Sequence, residues 1–347
     1  MYIKKILLAL LALGLIGMAF FAYYVYDAVF VPNTKFNNDV ATLFIRSEDN
    51  FSDVKEMLEP LLIDMESFEA VAERKKYIGN VKAGKYIIKK GMTNNDIVNT
   101  LRVFNEPIRI SFNNQERLEN LAGRLSRQIE PDSVALVTAF KDEEFLNASG
   151  FNLNTAIGMY IPNSYEVFWN ISAESFRDRM FKEYNNFWSG DRNEKAKAIG
   201  LTRDQVMSLA AIVQKETAKV DERKRVAGVY MNRINKKMRL EADPTVIYAL
   251  KKKKNNFDLV IKRVLNKDLK INSPYNTYLN LGVPPGPIMM PDISSVDAVL
   301  NYERHEYIFF CADVQNFGYH KFAKTLVQHN RNAAEYRKWI NNQGIRR

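Results

Sequence analysis

Residues 209–217 read Leu-Ala-Ala-Ile-Val-Gln-Lys-Glu-Thr, and how this stretch folds decides how the rest of the chain is arranged. Upstream, Thr202 and Gln205 stand at capping-box spacing, which predicts the start of a helix. Val206, Met207, Leu209, Ala210, Ala211, Ile212 and Val213 then make that helix apolar almost all the way round, so it belongs inside a domain. Glu216 follows Val213, Ile212 and Leu209 by three, four and seven residues, which puts it in line with the buried face. A carboxyl held there is desolvated, which penalises its charged form and raises its pKa, as a general acid requires. The competing reading frays the helix at Lys215 and leaves Glu216 as a polar end group; periodicity alone does not separate the two.

The surrounding chain has 347 residues, 46% of them hydrophobic, enough for an anchor and two or three domains. A net charge of +10 and a pI near 9.3 favour anionic partners without choosing among membrane surface, wall polymer and nucleic acid. Cys311 is the sole cysteine, so neither an internal disulfide nor a Cys-x-x-Cys metal site is available.

Ile6 to Val25 carries no charge over 20 residues, which at about 1.5 Å per residue spans a hydrocarbon core. The run is longer than a cleavable signal usually has, and Tyr23, Tyr24 and Tyr26 form an interfacial aromatic belt, so residues 6–26 read as a transmembrane anchor. Lys4 and Lys5 place residues 1–5 in the cytoplasm and the remainder outside the cytoplasmic membrane, which argues against a nucleic-acid role.

Residues 27–36 read as a linker and 37–106 as a small α/β unit. In that unit Thr42–Ile45 and Gly84–Ile88 are strands, Ser52–Leu62 and Met65–Glu73 are helices, and Thr93 caps a third helix ending at Val103. Residues 107–347 read as the larger domain. It starts with a strand at Ile108–Phe112, a helix near Glu116–Arg127 and further helix over Pro131–Ala148. Gly158–Tyr165 reads as a rigid aromatic loop, Ser172–Phe187 as an amphipathic helix, and Gly190–Gly200 as a connection into the helix of Glu216. Beyond it, Ala227, Tyr230, Met231 and Ile234 repeat at helical spacing and predict a second packed helix. Asp243 precedes a proline and is read as either a helix cap or a site residue. Lys251–Lys254 reads as a solvated face. Tyr275–Tyr278 and Gly282–Ile288 form a polar and aromatic loop pair of the kind that lines sugar clefts. Strands at Ile308–Ala312 and around His320 follow. The fold class is α+β.

Other chemistries find no support. His305, His320 and His329 lack metal-ligand spacing, and no phosphate-binding glycine loop or nucleophilic-serine motif occurs, so neither metal nor cofactor is expected. Acid chemistry on one glutamate remains.

At these residues the chain resembles a known family. Leu209–Thr217 is similar to the LASIVEKE motif of the YceG-like (MltG-type) endolytic murein transglycosylases. The likeness continues through Met238–Tyr248 (MRLEADPTVIY), Tyr275–Tyr278 (YNTY), Gly282–Ile288 (GVPPGPI), and Gly318, His320, Phe322, His329 and Asn330. Gly158–Tyr165 resembles that family's G-x-x-x-P-D-T-Y loop, and Gly84–Tyr86 a strand of its LysM-like subdomain. Gln214 replaces the first glutamate of the usual EKE, Ala211 stands where serine is common, and Asn163-Ser164 replace Asp-Thr.

The resemblance implies a membrane-bound lyase with a LysM-like subdomain at 37–106 and a catalytic domain at 107–347, acting on nascent peptidoglycan strands beside elongation or division synthases. It implies Glu216 as the catalytic acid/base at the end of the buried helix. One glutamate protonates the glycosidic oxygen between N-acetylmuramic acid and N-acetylglucosamine, then helps the C6 hydroxyl close a 1,6-anhydro ring, without a second carboxylate. Asn232, Asp243, Tyr275, Asn276, Tyr278, Pro284, Pro285, Tyr165 and His320 are implied around the substrate. Two other classes fit the residues: a hydrolase in which Asp243 or Glu241 supports water, and a non-catalytic wall-binding scaffold.

Overall fold

The computed structural model of the chain describes residues 2–342. Its first helix, α1 (Tyr2–Phe30), is the one described helix long and apolar enough to cross a membrane, with a mean hydropathy of 2.5 over its most apolar window. It continues to Phe30, through the first four residues of the expected linker.

Two compact units follow from the packing of the chain. The smaller comprises residues 1–110 with two later segments, Arg127–Pro131 and Tyr165–Ser172. In it, β1 (Val40–Ile45) pairs antiparallel with a later strand across two helices, α2 (Phe51–Leu58) and α3 (Met65–Arg74). That strand is β2 (Gly84–Lys89), in register from Val40 opposite Lys89 to Ile45 opposite Gly84. Asn50 and Asp53 form a capping box that starts α2, and the helix stops at Leu58 rather than Leu62: Glu59 still has helical dihedrals, but Pro60 has no N–H to continue the helical hydrogen bonds. Thr93 and Asp96 form a second box at the head of α4 (Asn94–Val103). Leu43, Ile45, Leu58, Phe68, Tyr86, Ile88, Ile97 and Leu101 close the core between these helices and one face of the β1–β2 pair. The later segments return to the same unit, Glu130 accepting from Ser47 Oγ at 2.8 Å and Asn170 Nδ2 donating to the Ala83 carbonyl at 3.2 Å. A continuous 37–106 span does not contain them. The unit boundary falls inside β3 (Pro107–Phe112).

The larger unit opens on helices. α5 (Leu118–Leu125) precedes α6 (Ser133–Phe140) and α7 (Glu143–Ala148), and the expected single helix over 131–148 is broken because Asp142 turns to cap the amides of Glu144 and Phe145. The expected aromatic loop at 158–165 is a 3₁₀ turn, Ala156–Met159, running into β4 (Asn163–Phe168), which pairs with β3. α8 (Ala173–Trp188) follows. The expected connection 190–200 is largely a further helix, α9 (Asp191–Ala198), bounded by Gly190 and Gly200, both at φ +72°. Its side chains are polar nearly all round, so no apolar stripe announces it; an Asp191–Lys195 pair one turn apart supports it.

α10 (Arg203–Glu216) is the centre of this unit. Thr202 accepts from the Gln205 amide and Gln205 reaches back to Thr202, and Val206 through Val213 are all buried. α9, α11 (Arg223–Asn235), α12 (Asp243–Lys253) and α13 (Ile293–Leu300) pack on it. Burying Val206, Leu209, Ile212 and Val213 stabilises by about 1.5–3 kcal/mol each, more in sum than one desolvated carboxyl costs, so the apolar face carries Glu216 inward. Between α12 and α13 the chain has no long regular element. Gly286 lies against the backbone of Asn154, where a Cβ would fall 2.0 Å from the carbonyl oxygen, so that position admits only glycine. The unit closes with β5 (Phe309–Ala312) antiparallel to β6 (His320–Ala323), then α14 (Leu326–Asn342).

Candidate active site

Glu216 is the last residue of α10, and Thr217 leaves the helix in an extended conformation, so the acid stands at an abrupt end rather than in a fraying turn. Its neighbours fix the rotation of that turn. Gln214 clamps α13, donating to Asp292 Oδ2 at 2.8 Å and accepting from the Asp292 amide at 2.6 Å. Lys215 pairs with Glu116 at 2.7 Å, and Lys251 holds the other oxygen of that carboxylate at 2.8 Å. Burial raises the Glu116 pKa, but the two ammonium groups outweigh it and hold the carboxylate below its usual range. Lys251 is therefore not part of a solvated face.

With those two residues turned away, Glu216 faces α11. Tyr230 Oη donates to Glu216 Oε1 at 2.7 Å. Burial pushes the Glu216 pKa up to about 7, against the opposing pull of the Tyr230 hydrogen bond and of His320; Asp243 adds to the rise and Arg233 opposes it. Because the phenol occupies Oε1, the acid proton is left to Oε2.

The carboxyl opens on a cleft of about 430 Å³ lined by Tyr230, Arg233, Leu240, Glu241, Asp243, Tyr278, Phe309, Phe310, Leu326, His329 and Asn330. Arg233 holds this wall together: Nε donates to the Ile308 carbonyl at 2.7 Å, and Nη1 to the carbonyls of Arg239 and Leu240 and to Glu241 Oε2, each within 3.1 Å. Glu241 adopts φ +52°, a left-handed conformation unusual for a residue with a side chain, and strain of this kind clusters at functional sites. Two buried threonines hold the segment in that shape, Thr277 Oγ1 accepting from the Ala242 amide at 3.0 Å and Thr245 Oγ1 lying 2.8 Å from Thr277 Oγ1. Behind the acid, Phe310 packs between Tyr230 and His320, and His320 is fixed by Glu222, its amide 2.7 Å from Oε1 and its Nδ1 2.8 Å from Oε2.

Of the residues expected from the sequence, Glu216, Asp243 and Tyr278 meet in this cleft. Asp243 is not the cap of α12, a position taken by Ala242; its Oδ1 accepts from Tyr278 Oη at 2.7 Å. Several others hold structure instead. Asn232 Nδ2 braces the carbonyls of His305 and Tyr307. Asn276 is fully buried and ties its own loop to the carbonyls of Leu269 and Ile271. Tyr275 packs on Tyr248 with ring centroids 4.7 Å apart. Pro284 is buried, Pro285 is exposed, and neither lines the cleft. Tyr165 lies buried in β4, in the smaller unit. His320 stands behind the acid.

From the sequence Tyr230 is read only as packing and Arg233 is not singled out; both fall on the buried face of α11 with Val226 and Val229. Arg233 is a charge on an apolar stripe, the same signal that singled out Glu216. Replacing Tyr230 by Phe removes the hydrogen bond that favours the charged form, so the Glu216 pKa rises further, by up to about one unit. The alkaline limb of an activity–pH profile then moves up, which initial rates across pH 5–9 read directly.

An open cleft with one desolvated carboxyl, oriented by a phenol, is the arrangement of a general acid–base site. Among the described residues no group of three or more His, Cys, Asp or Glu side chains is gathered for a metal ion. The model of the YceG-like family matches residues 43–335, and the chain belongs to that family. The endolytic murein transglycosylase of Bacillus subtilis strain 168 is 30% identical over 280 residues, covering 75% of each chain. That of Streptococcus pneumoniae strain D39 is 26% identical, over 95% of this chain and 64% of its own length. A crystal structure of a yceG-like protein from Listeria monocytogenes superposes with a TM-score of 0.55 at 26% identity, covering 85% of this chain and 99% of that one.

Proposed function

We propose that the chain is a membrane-anchored endolytic murein transglycosylase, a lyase, with Glu216 as its catalytic acid and base. The single observation that carries this reading is the carboxyl of Glu216, its pKa raised to about 7 by burial and one oxygen held by Tyr230 at the wall of an open cleft. The names of its relatives supply the substrate class, peptidoglycan.

In the proposed reaction Glu216 Oε2 gives its proton to the oxygen linking N-acetylmuramic acid to the following sugar, and the bond from that oxygen to the anomeric carbon breaks. The C6 hydroxyl of the muramic residue then closes on the anomeric carbon and returns its proton to the carboxylate, leaving a 1,6-anhydro end and a regenerated acid. No water is consumed. Tyr230 keeps the carboxyl aimed, and Asp243, Tyr278, His329 and Asn330 bind the strand. Residues 37–106 act as a LysM-like unit contacting glycan, α1 holds the enzyme at the outer face of the cytoplasmic membrane with its N-terminus inside, and cleavage beside the synthases ends nascent strands.

The test is release of muropeptides from uncrosslinked glycan strands by the full chain in detergent. Anhydro-ended fragments from the native chain and none from Glu216→Gln support the reading. No release by either moves the weight to a wall-binding scaffold.

A further inference from the structure

The membrane helix is built into the smaller unit rather than tethered to it. Ala28 is buried, its carbonyl accepts from Asn94 Nδ2 at 2.9 Å, and short antiparallel bridges join Pro32 to Thr93 and Thr34 to Leu62. The first charge after the apolar run is Asp27, so Phe21 to Val29, about 12 Å of helix, crosses from acyl chains into headgroups. Along this stretch α1 and α3 leave a groove of about 600 Å³. Phe21, Val25, Val29 and Val71 make its wall apolar, and Arg74 and Lys75 add two cations to the lining. Neither is in an ion pair with a carboxylate among the described residues; Lys75 Nζ donates to Asn99 Oδ1 at 2.6 Å. Burial and then Arg102 push the Lys75 pKa down, with Asp96 opposing.

An apolar trough at headgroup depth with two uncompensated cations is complementary to an amphiphile with an anionic head. A glycan strand would leave the apolar wall unused. We propose that this groove holds one anionic phospholipid of the outer leaflet, an acyl chain along Phe21, Val25, Val29 and Val71 and its phosphate on Arg74 and Lys75. The site rests on α1 spanning the membrane and is independent of the chemistry at Glu216.

The test uses the full chain in nanodiscs of equal phosphatidylglycerol and phosphatidylcholine, with retained lipid read by native mass spectrometry. The native chain retains phosphatidylglycerol in preference. The double variant Arg74→Gln, Lys75→Gln loses that preference about thirtyfold, the scale expected for two charges near an anionic surface. Ala70→Trp, at an exposed position of α3 in the groove lining, loses both lipids by filling the space. Equal retention of the two lipids by the native chain, or a phosphatidylglycerol signal unchanged in both variants, overturns the proposal; so does a chain that does not enter nanodiscs. Glycan cleavage by the same samples stays at the native level, which separates failure of the lipid site from failure of the Glu216 assignment.

Discussion

Glu216→Gln lowers the rate of glycan cleavage roughly a hundredfold to ten-thousandfold, the contribution of a positioned general acid. Glutamine keeps the shape and still accepts from Tyr230, so the loss isolates the proton. The same substitution stabilises the fold at alkaline pH. Folded Glu216 titrates at about 7 against an ordinary 4.5, so the folded state holds the proton more tightly than the unfolded chain. That contribution is fully present below the unfolded pKa and is lost as pH rises through about 7, which leaves the native protein short by on the order of 3 kcal/mol above it. Thermal unfolding therefore finds the Gln variant more stable than the native chain at alkaline pH. Between the two pKa values the gap closes progressively as pH falls. A mutation that removes activity while adding stability is the mark of an acid held by the fold against its own preference.

Arg233→Met produces the largest loss of stability. Arg233 is buried, and its guanidinium satisfies carbonyls of Ile308, Arg239 and Leu240 as well as Glu241; methionine fills the space and satisfies none of them. Stranding several buried acceptors costs about 3 kcal/mol or more, read as a lower urea midpoint with an unchanged slope. Cleavage falls with it, because the strained backbone at Glu241 and the β5 wall lose their common support. The comparison is Lys324→Ala: Lys324 and Glu306 lie 2.6 Å apart, but their side chains are 54% and 78% exposed, and water replaces the pair at no measurable cost.

Much of this site could be read from residues alone because its organising element is a helix whose burial is written in its own periodicity. α10 starts at its predicted capping box, and Glu216 lies on the face its spacing assigned. What escaped was whatever depends on contacts between distant segments. The Gln214 clamp needs Asp292, and the bracing by Asn232 needs the carbonyls at 305 and 307. A polar side chain in a loop has the same local signature whether it faces substrate or ties its own loop, so Asn276 looked like a sugar ligand and is a buried strut. α9 escaped for the opposite reason: an all-polar helix has no stripe to detect, and its attachment through Arg192 to Asp297 is a long-range pair. His329 and Asn330 were conspicuous only as part of a resemblance, and it is the fold that brings α14 to the cleft.

The most direct test of Glu216 acting without water is cleavage of uncrosslinked glycan strands in water enriched in the heavy oxygen isotope, with mass analysis of the new ends. Anhydro ends free of the heavy isotope are the predicted result. Reducing ends carrying it would mean that water attacks the anomeric carbon, and would replace the lyase with a hydrolase.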